Sequence, residues 1–188
     1  MGVPKATLPF GAETMLQRVV RLLGEVVSPV VVVAARGQSL PQLPEGVAIA
    51  RDECAERGPL EGLRAGLKAL PKSVDIAYLT SCDVPLMVPG FVLRMIELLG
   101  DHDIAVMELD GFTHPLSAVY RLSTLPHIEE LLEEGKLRLS SLSDVVHTRR
   151  VRPEEMLPVD PELRSLRNLN KREDYVAALA AAGLSPEK

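Results

Sequence analysis

The sequence predicts a three-layer α/β sandwich with a mostly parallel sheet. Three observations carry that prediction. Apolar residues switch repeatedly between helical spacing and short strand-like runs. One run, Val30 to Ala35, is β-branched and almost continuously apolar, which suits a strand covered on both faces. The composition, 46% apolar in 188 residues, is enough for the core of a single domain.

The elements follow in order. Glu13 to Leu23 sets Leu16, Val19, Val20 and Leu23 on one helical face, and Gly24 is placed to stop the helix. Val30 to Ala35 is a strand, and Ser39 to Gly46, with two prolines and a glycine, is a loop. Pro59 to Leu70 returns to helical spacing through Leu60, Leu63, Leu67 and Leu70, and Asp75 to Ser81 is the next strand. Phe91 to Leu99 is a helix, Ile104 to Met107 and Pro115 to Tyr120 are strands, and Leu122 to Glu134 is a helix. Lys136 to Val146 is expected as another helix, and Arg149 to Val151 as a strand at the sheet edge. Lys171 to Ala182 closes the chain as a helix, with Asn170 and Glu173 spaced for a capping box. No internal repeat or long linker interrupts this series.

Charge and composition exclude several functions. A net charge of −5 argues against a nucleic-acid polymer as partner, since that binding needs a basic face to neutralise many phosphates. The longest apolar stretch, Val26 to Ala35, is broken by Ser28 and Pro29 and is too short to span a bilayer. The first residues lack the basic-then-apolar pattern of a secretory leader. Cys54 and Cys82 have no metal-type spacing, which fits a reduced, cytoplasmic protein.

The residues able to do chemistry fall in separate short motifs. Met1-Gly2-Val3-Pro4-Lys5 runs into Leu8-Pro9-Phe10-Gly11, and Lys5 is a compact cation of the kind that follows a glycine-rich phosphate turn. Read alone, it is a solvated lysine near a frayed end. Asp52 follows Arg51 and by itself is a surface charge. Arg57-Gly58-Pro59-Leu60-x-Gly62-Leu63 opens a helix whose first N–H groups can receive an anion or a base carbonyl, or is a plain helix start with proline near N1. Asp83, in Cys82-Asp83-Val84-Pro85, follows an apolar strand and so lies beyond its C-terminal end, where open α/β sheets bind ligands. A carboxylate there suits Mg²⁺, and it also suits a turn. Asn168 and Asn170 flank Leu169 just before the last helix, with amides able to donate and accept. His114 precedes Pro115 at a strand and reads most simply as structural.

Taken in sequence, these motifs resemble the molybdenum cofactor guanylyltransferase family, within the nucleotidyltransferases that build NDP-linked cofactors and sugars. The resemblance covers nearly the whole chain and implies a Rossmann-like nucleotidyltransferase fold. It implies Mg²⁺-dependent transfer of GMP from GTP to the terminal phosphate of molybdopterin or Mo-molybdopterin, releasing pyrophosphate. By position it assigns Asp83 to Mg²⁺ and Lys5 to the phosphates. Asp52 with Gly58, Pro59, Leu60 and Gly62 falls to the nucleotide pocket, and Asn168, Asn170 and His114 to the pterin side. Other cofactor-biosynthesis proteins are further expected partners. No general base is needed, because a phosphate monoester, with its second pKa near ~6, is already mostly dianionic at neutral pH. The nearest competing readings are a cytidylyltransferase on the same pterin, a non-catalytic nucleotide- or cofactor-binding homologue, and a glycosyltransferase of related architecture.

Three clusters read as structural. Asp101-His102-Asp103 lies between a helix and the start of a strand, the opposite sheet edge from Asp83. Glu129, Glu130, Glu133 and Glu134 form the solvated face of a helix. Arg149, Arg150 and Arg152 read as a basic edge strand, with an acceptor phosphate as the sharper alternative.

The family's opening Leu-Ala-Gly-Gly-x-Ser-x-Arg segment has no counterpart here, Met1-Gly2-x-x-Lys5 standing where its ending falls. The family's first strand lies between those matching Val30 to Ala35 and Ile76 to Ser81. Its loss would orphan backbone groups at ~1 to 3 kcal/mol each. The expectation is therefore a natural start roughly 10 to 20 residues upstream, enough for one short strand and its turn.

Overall fold

The computed structural model describes residues 4–52 and 58–185. Met1, Gly2, Val3, Cys54 and Arg57, which contribute to the motifs above, lie outside the described residues. A two-rung hairpin, β1 (Pro9–Phe10) with β2 (Glu13–Thr14), leads into helix α1 (Met15–Gly24). Thr14 and Gln17 start α1 with a reciprocal capping box, at 3.3 and 2.7 Å, satisfying two backbone donors of the first turn.

Strands β3 (Val31–Ala34) and β4 (Ala48–Arg51) form a parallel pair, and helix α2 (Gly58–Ala69) packs on them. Next come strand β5 (Ile76–Thr80), helix α3 (Pro89–Leu99), strands β6 (Ile104–Leu109) and β7 (Phe112–Arg121), and helix α4 (Leu125–Glu133). Strand β8 (Thr148–Val151) and helix α5 (Arg172–Ala181) complete the series. The second sheet has the order β5-β7-β6-β8, with β7 antiparallel to both neighbours and β6 parallel to β8.

Strand alternation builds the layers. Ile104 and Val106 of β6 join α2 and α4 in one cluster, with Leu60, Leu63, Ile128 and Leu131. Ala105 and Met107 face the other way, onto Phe91, Met95 and Leu99 of α3. Helix α1 shares that second side, where Val19 and Leu23 meet Val92 of α3. With both faces covered, the strands lack the polar alternation of a half-exposed sheet.

Two expectations need correction, and the strands β1, β2 and β4 escaped notice; β1 and β2, two residues each, are too short for strand alternation to show. Lys136 to Val146 is not an α-helix but a 3₁₀ turn over Leu139–Asp144. Ser140, Ser141 and Ser143 favour turns, and two buried anchors three apart, Leu139 and Leu142, fit three residues per turn. Asn170 and Glu173 do not cap α5; the Asp174 carboxylate does, accepting from the N–H groups of Asn170 and Lys171 at 3.1 and 2.8 Å. Strand β4 was missed because Ala-Ile-Ala-Arg has no β-branched run, and Ile49 is half exposed at the sheet edge.

The β6–β7 hairpin turns on Asp110 and Gly111, both at positive φ (53° and 78°), as a two-residue turn between twisted strands requires. Pro115, which cannot donate to a ladder, coincides with a register shift: Val106 pairs with Ala118, but Met107 with His114.

Between β3 and β5 lies a cavity of about 660 Å³. Ser28 to Val30, just before β3, and Ser73 to Asp75, just before β5, both line it. Within the four-stranded sheet β7 alone runs against its neighbours. No strand joins β3 to β5 among the described residues. No helix among them is long and apolar enough to cross a membrane.

Phe91 has 0% exposure and Phe112 has 75%. Urea unfolding of Phe91→Ala should show a loss of about 3 to 5 kcal/mol, and Phe112→Ala a change within about 0.5 kcal/mol. Equal losses would contradict this assignment of the core.

Candidate functional site

The site is built where β5 ends. The strand delivers Ser81, Cys82 and Asp83 beyond its C-terminal end, and Val84, Met87 and Val92 anchor the following loop in the core. The backbone carbonyl of Asp83 accepts from the N–H of Leu169 at 2.9 Å. That bond, with Leu169 buried beside Phe10, Met15 and Leu179, fastens the segment before α5 against the β5 loop. Asn168 and Asn170, on either side of Leu169, are exposed.

Lys5 joins these two segments. It sits in the 3₁₀ turn Lys5–Thr7, held by Ala6, which is buried with Val20 and Val32. Its ammonium donates to Asp83 Oδ2 at 2.7 Å and to Asn170 Oδ1 at 2.7 Å. The second Asp83 oxygen accepts a short hydrogen bond from the Ser81 hydroxyl. Sequence reasoning missed Ser81; its signal was a hydroxyl two residues before a turn aspartate. Lys5, Asp83 and Asn170 are thus brought together from positions 78 and 165 residues apart. Burial, then the negative charge of Asp83, pushes the Cys82 thiol up, so Cys82 stays protonated at neutral pH and is a poor nucleophile.

Asp83 Oδ2 and Asn170 Oδ1 converge on one cation, here the Lys5 ammonium. Hard oxygens set around a positive charge suit Mg²⁺, which is held by one or two carboxylates plus phosphate and water oxygens. Among the described residues no group of three or more His, Cys, Asp or Glu gathers to hold a metal, so most of the ligands would have to come from substrate and water.

Asp52 ends β4, its N–H donating to the Ala34 carbonyl at 3.2 Å. Its Oδ1 is buried without a hydrogen-bond partner among the described residues. That atom lies 3.9 Å from where a Cβ on Gly62 would stand. Burial and then the nearby Glu61 carboxylate raise the Asp52 pKa. Glu61, absent from the expected site, is 1% exposed and paired with Arg64 at 2.7 Å. Gly58 begins α2 at φ +67°, and a Cβ there would stand 3.0 Å from the Leu137 carbonyl oxygen, so glycine is required. The Leu60 N–H donates to that carbonyl at 3.4 Å, so one N–H of the helix start is already engaged. Pro59 is exposed, whereas the Leu60 side chain is wholly buried in the core.

His114 is half-buried in β7, three residues before Ser117, the partner of Thr80, and so at the same end of the sheet as Asp83. Burial lowers its pKa, against a weaker opposing pull from Asp110, so the imidazole is neutral at neutral pH and acts as a hydrogen-bonding group. The clusters read as structural lie elsewhere. Asp103 accepts from the His147 N–H at 3.0 Å and His102 stacks on His147 at 4.1 Å, tying the starts of β6 and β8. Arg149 and Arg150 pair with Glu155 and Glu108 at 2.5 and 2.7 Å. Glu129 pairs with Lys68 at 2.6 Å and is less solvated than expected.

Comparison with known proteins gives a consistent answer. A family model described as the MobA-like NTP transferase domain matches residues 1–150. A Mycobacterium avium protein named "Probable molybdenum cofactor guanylyltransferase" is 33% identical over 186 residues, covering 97% of this chain and 89% of its own. Among solved structures, molybdopterin-guanine dinucleotide biosynthesis protein A from Archaeoglobus fulgidus aligns with a TM-score of 0.80 at 16% identity, over 97% of this chain and 92% of its own. The 2-C-methyl-D-erythritol 4-phosphate cytidylyltransferase from Thermus thermophilus aligns with a TM-score of 0.72 at 16% identity, over 96% and 95%. These two structures are similar to the chain in fold.

The Asp52 geometry generates a pH prediction. Its folded pKa is raised, so its contribution to stability is fully present below the unfolded carboxylate value and is lost as pH rises through the folded one. Asp52→Asn should therefore melt at an equal or higher temperature than the parent at pH 7, the difference shrinking toward pH 3. A variant less stable at pH 7 than at pH 3, relative to the parent, would contradict the burial argument.

Proposed function

The chain belongs to the MobA-like NTP transferase family, that of the molybdenum cofactor guanylyltransferases, and from that premise we propose the reaction and the roles of its residues. It is a nucleotidyltransferase of molybdenum cofactor biosynthesis. In the proposed reaction the terminal phosphate of molybdopterin, or Mo-molybdopterin, attacks the α-phosphorus of GTP. A new P–O bond forms to the pterin phosphate, the bond to the β-phosphate oxygen breaks, and pyrophosphate leaves.

The observation that carries this reading is the Lys5 ammonium held between Asp83 and Asn170, at the sheet end where α/β folds bind ligands. Lys5 turns from Asp83 to the triphosphate and neutralises charge that builds as pyrophosphate departs. Asp83, so released, would be the carboxylate to hold Mg²⁺, with the Asn170 oxygen near it, and Ser81 fixes the carboxylate's orientation. The metal, when bound, supplies positive charge on the triphosphate. Asp52 and the Gly58 to Gly62 turn receive the nucleobase: an orphaned buried carboxylate oxygen suits the ring and amino N–H donors of guanine. Asn168 and neutral His114 orient the pterin. The acceptor phosphate needs no general base, because it is already mostly dianionic at neutral pH. We read residues 1–188 as one nucleotidyltransferase unit, a reading supported by the Leu169–Asp83 bond across the fold.

Incubation with GTP, Mg²⁺ and molybdopterin, with pyrophosphate measured, tests the reading. Release with GTP but not CTP is the expected result. Equal release with CTP would overturn the choice of base, and none with either nucleotide would favour a non-catalytic binding protein. Asp83→Asn should cut turnover by about a thousandfold while shifting the melting temperature little, because the lost ion pair is partly solvated. Asn168→Ala should raise KM for the pterin several-fold and leave KM for GTP unchanged; equal effects on both would refute the division of the cleft.

A further inference from the structure

The β6–β7 hairpin reaches past the sheet at the end where Asp83 lies. Leu79, Ala118 and Val106 stand side by side across β5, β7 and β6, and Leu109, opposite Phe112, is three residues, about 10 Å, further along β6. Directly opposed residues of an antiparallel pair place their side chains on the same face. Met107 and Leu109 pack into the cluster against α3, so their partners His114 and Phe112 are on that face as well. Leu163 and Leu166 join the same cluster, and Asn168 follows two residues later, exposed. His114, Phe112 and the segment that carries Asn168 therefore share one face at one end of the sheet. His114 is half-buried, whereas Phe112 beyond it is 75% exposed, the most exposed large apolar side chain among the described residues.

We propose that Phe112 is the stacking platform of the acceptor half of the site, receiving the flat heterocycle of the pterin on its ring while Asn168 and His114 take the heterocycle's hydrogen-bonding edge. The inference rests on the reading above that the acceptor is a pterin, and it adds a residue that selects for that class of substrate. A pterin offers two kinds of surface, a polar edge of amide, amino and ring nitrogens and a flat π face. Amide and imidazole groups answer the edge and leave the face in water. An aromatic side chain answers the face, and stacking of this kind changes affinity by about tenfold. Phe112 is well placed to do so at small entropic cost. It is the first residue after the tight Asp110-Gly111 turn and is paired with Leu109, so the ladder fixes its backbone, and only two side-chain torsions remain to be ordered. An acceptor that carries a phosphate on a saturated sugar ring has no π face and gains little from this platform, so Phe112 favours a pterin phosphate over a sugar phosphate.

The chain contains no tryptophan, so Phe112→Trp is a single-site fluorescent probe, and its exposed position lets the substitution fold. Molybdopterin is titrated into the parent, Phe112→Trp, Phe112→Leu and Phe112→Ala, with binding followed by calorimetry and, in the Trp variant, by indole emission. Molybdopterin should quench that emission by at least about half and GTP should leave it unmoved. The Kd for molybdopterin should stay within about twofold of the parent in Phe112→Trp and rise about tenfold in both Phe112→Ala and Phe112→Leu, with the Kd for GTP unchanged throughout. Full affinity in Phe112→Leu would overturn the platform, because leucine keeps an apolar contact but has no π face. Emission unquenched by bound molybdopterin, or quenched by GTP instead, would overturn it as well. So would an emission that shifts to the blue with rising protein concentration before any ligand is added, since a second copy would then cover the residue. Failure of the parent to bind molybdopterin at all would overturn the choice of acceptor together with this inference, whereas tight binding that is indifferent to position 112 overturns this inference alone.

Discussion

The geometry of the candidate site depends on one shared cation. Asp83 and Asn170 present oxygens toward each other from segments far apart in the chain, and the Lys5 ammonium, 2.7 Å from each, holds them together. Two oxygen acceptors brought together without a donor would repel, so the closed loop cluster exists only with a positive charge inside it. The Leu169–Asp83 backbone bond gives the same cluster a rigid floor. On the proposed mechanism this is also why the site can change state: a lysine whose partners are oxygens can exchange them for phosphate oxygens, and the Asp83 and Asn170 oxygens it releases then need another cation in its place.

A second, less comfortable arrangement lies at the end of β4. One Asp52 oxygen is buried with no hydrogen-bond partner among the described residues, and burial together with the nearby Glu61 carboxylate disfavours the ionised form of Asp52. Burial of that oxygen costs stability, and on the proposed function the nucleobase is what would satisfy it. At Gly58 the positive φ and the crowding against Leu137 demand glycine. By contrast, the charges at the far sheet edge are spent on one another. Arg149 and Arg150 meet glutamates, and Asp103 meets a backbone N–H.

Faces of β6 and β7 are covered by α2 and α4 on one side and α3 on the other, and their residues are among the least exposed in the protein. Strand β4 leads to Asp52 and β5 to Asp83, and among the described residues no strand pairs with both β3 and β5.

The sequence by itself determined the order of the elements, because burial on both faces leaves a readable pattern: the spacing of Leu60, Leu63 and Leu67 marks a helix, and Val30 to Ala35 a strand. It also determined the motif positions, Asp83 beyond a strand and Gly58 at a helix start, since those depend on local backbone geometry. It could not give β4, whose Ala-Ile-Ala-Arg owes its extended form to pairing with β3, nor the 3₁₀ turn at Leu139–Asp144, which depends on where two leucines find the core. The cap of α5 was displaced to Asp174 for the same kind of reason: the Asn170 side chain, a good cap in isolation, is drawn instead to Lys5. Tertiary structure alone decided that Lys5, Asp83 and Asn170 meet, that Ser81 orients the aspartate, and that one Asp52 oxygen is buried without a hydrogen-bond partner among the described residues. These are facts about distances between residues remote in the chain, and local propensity carries no information about them.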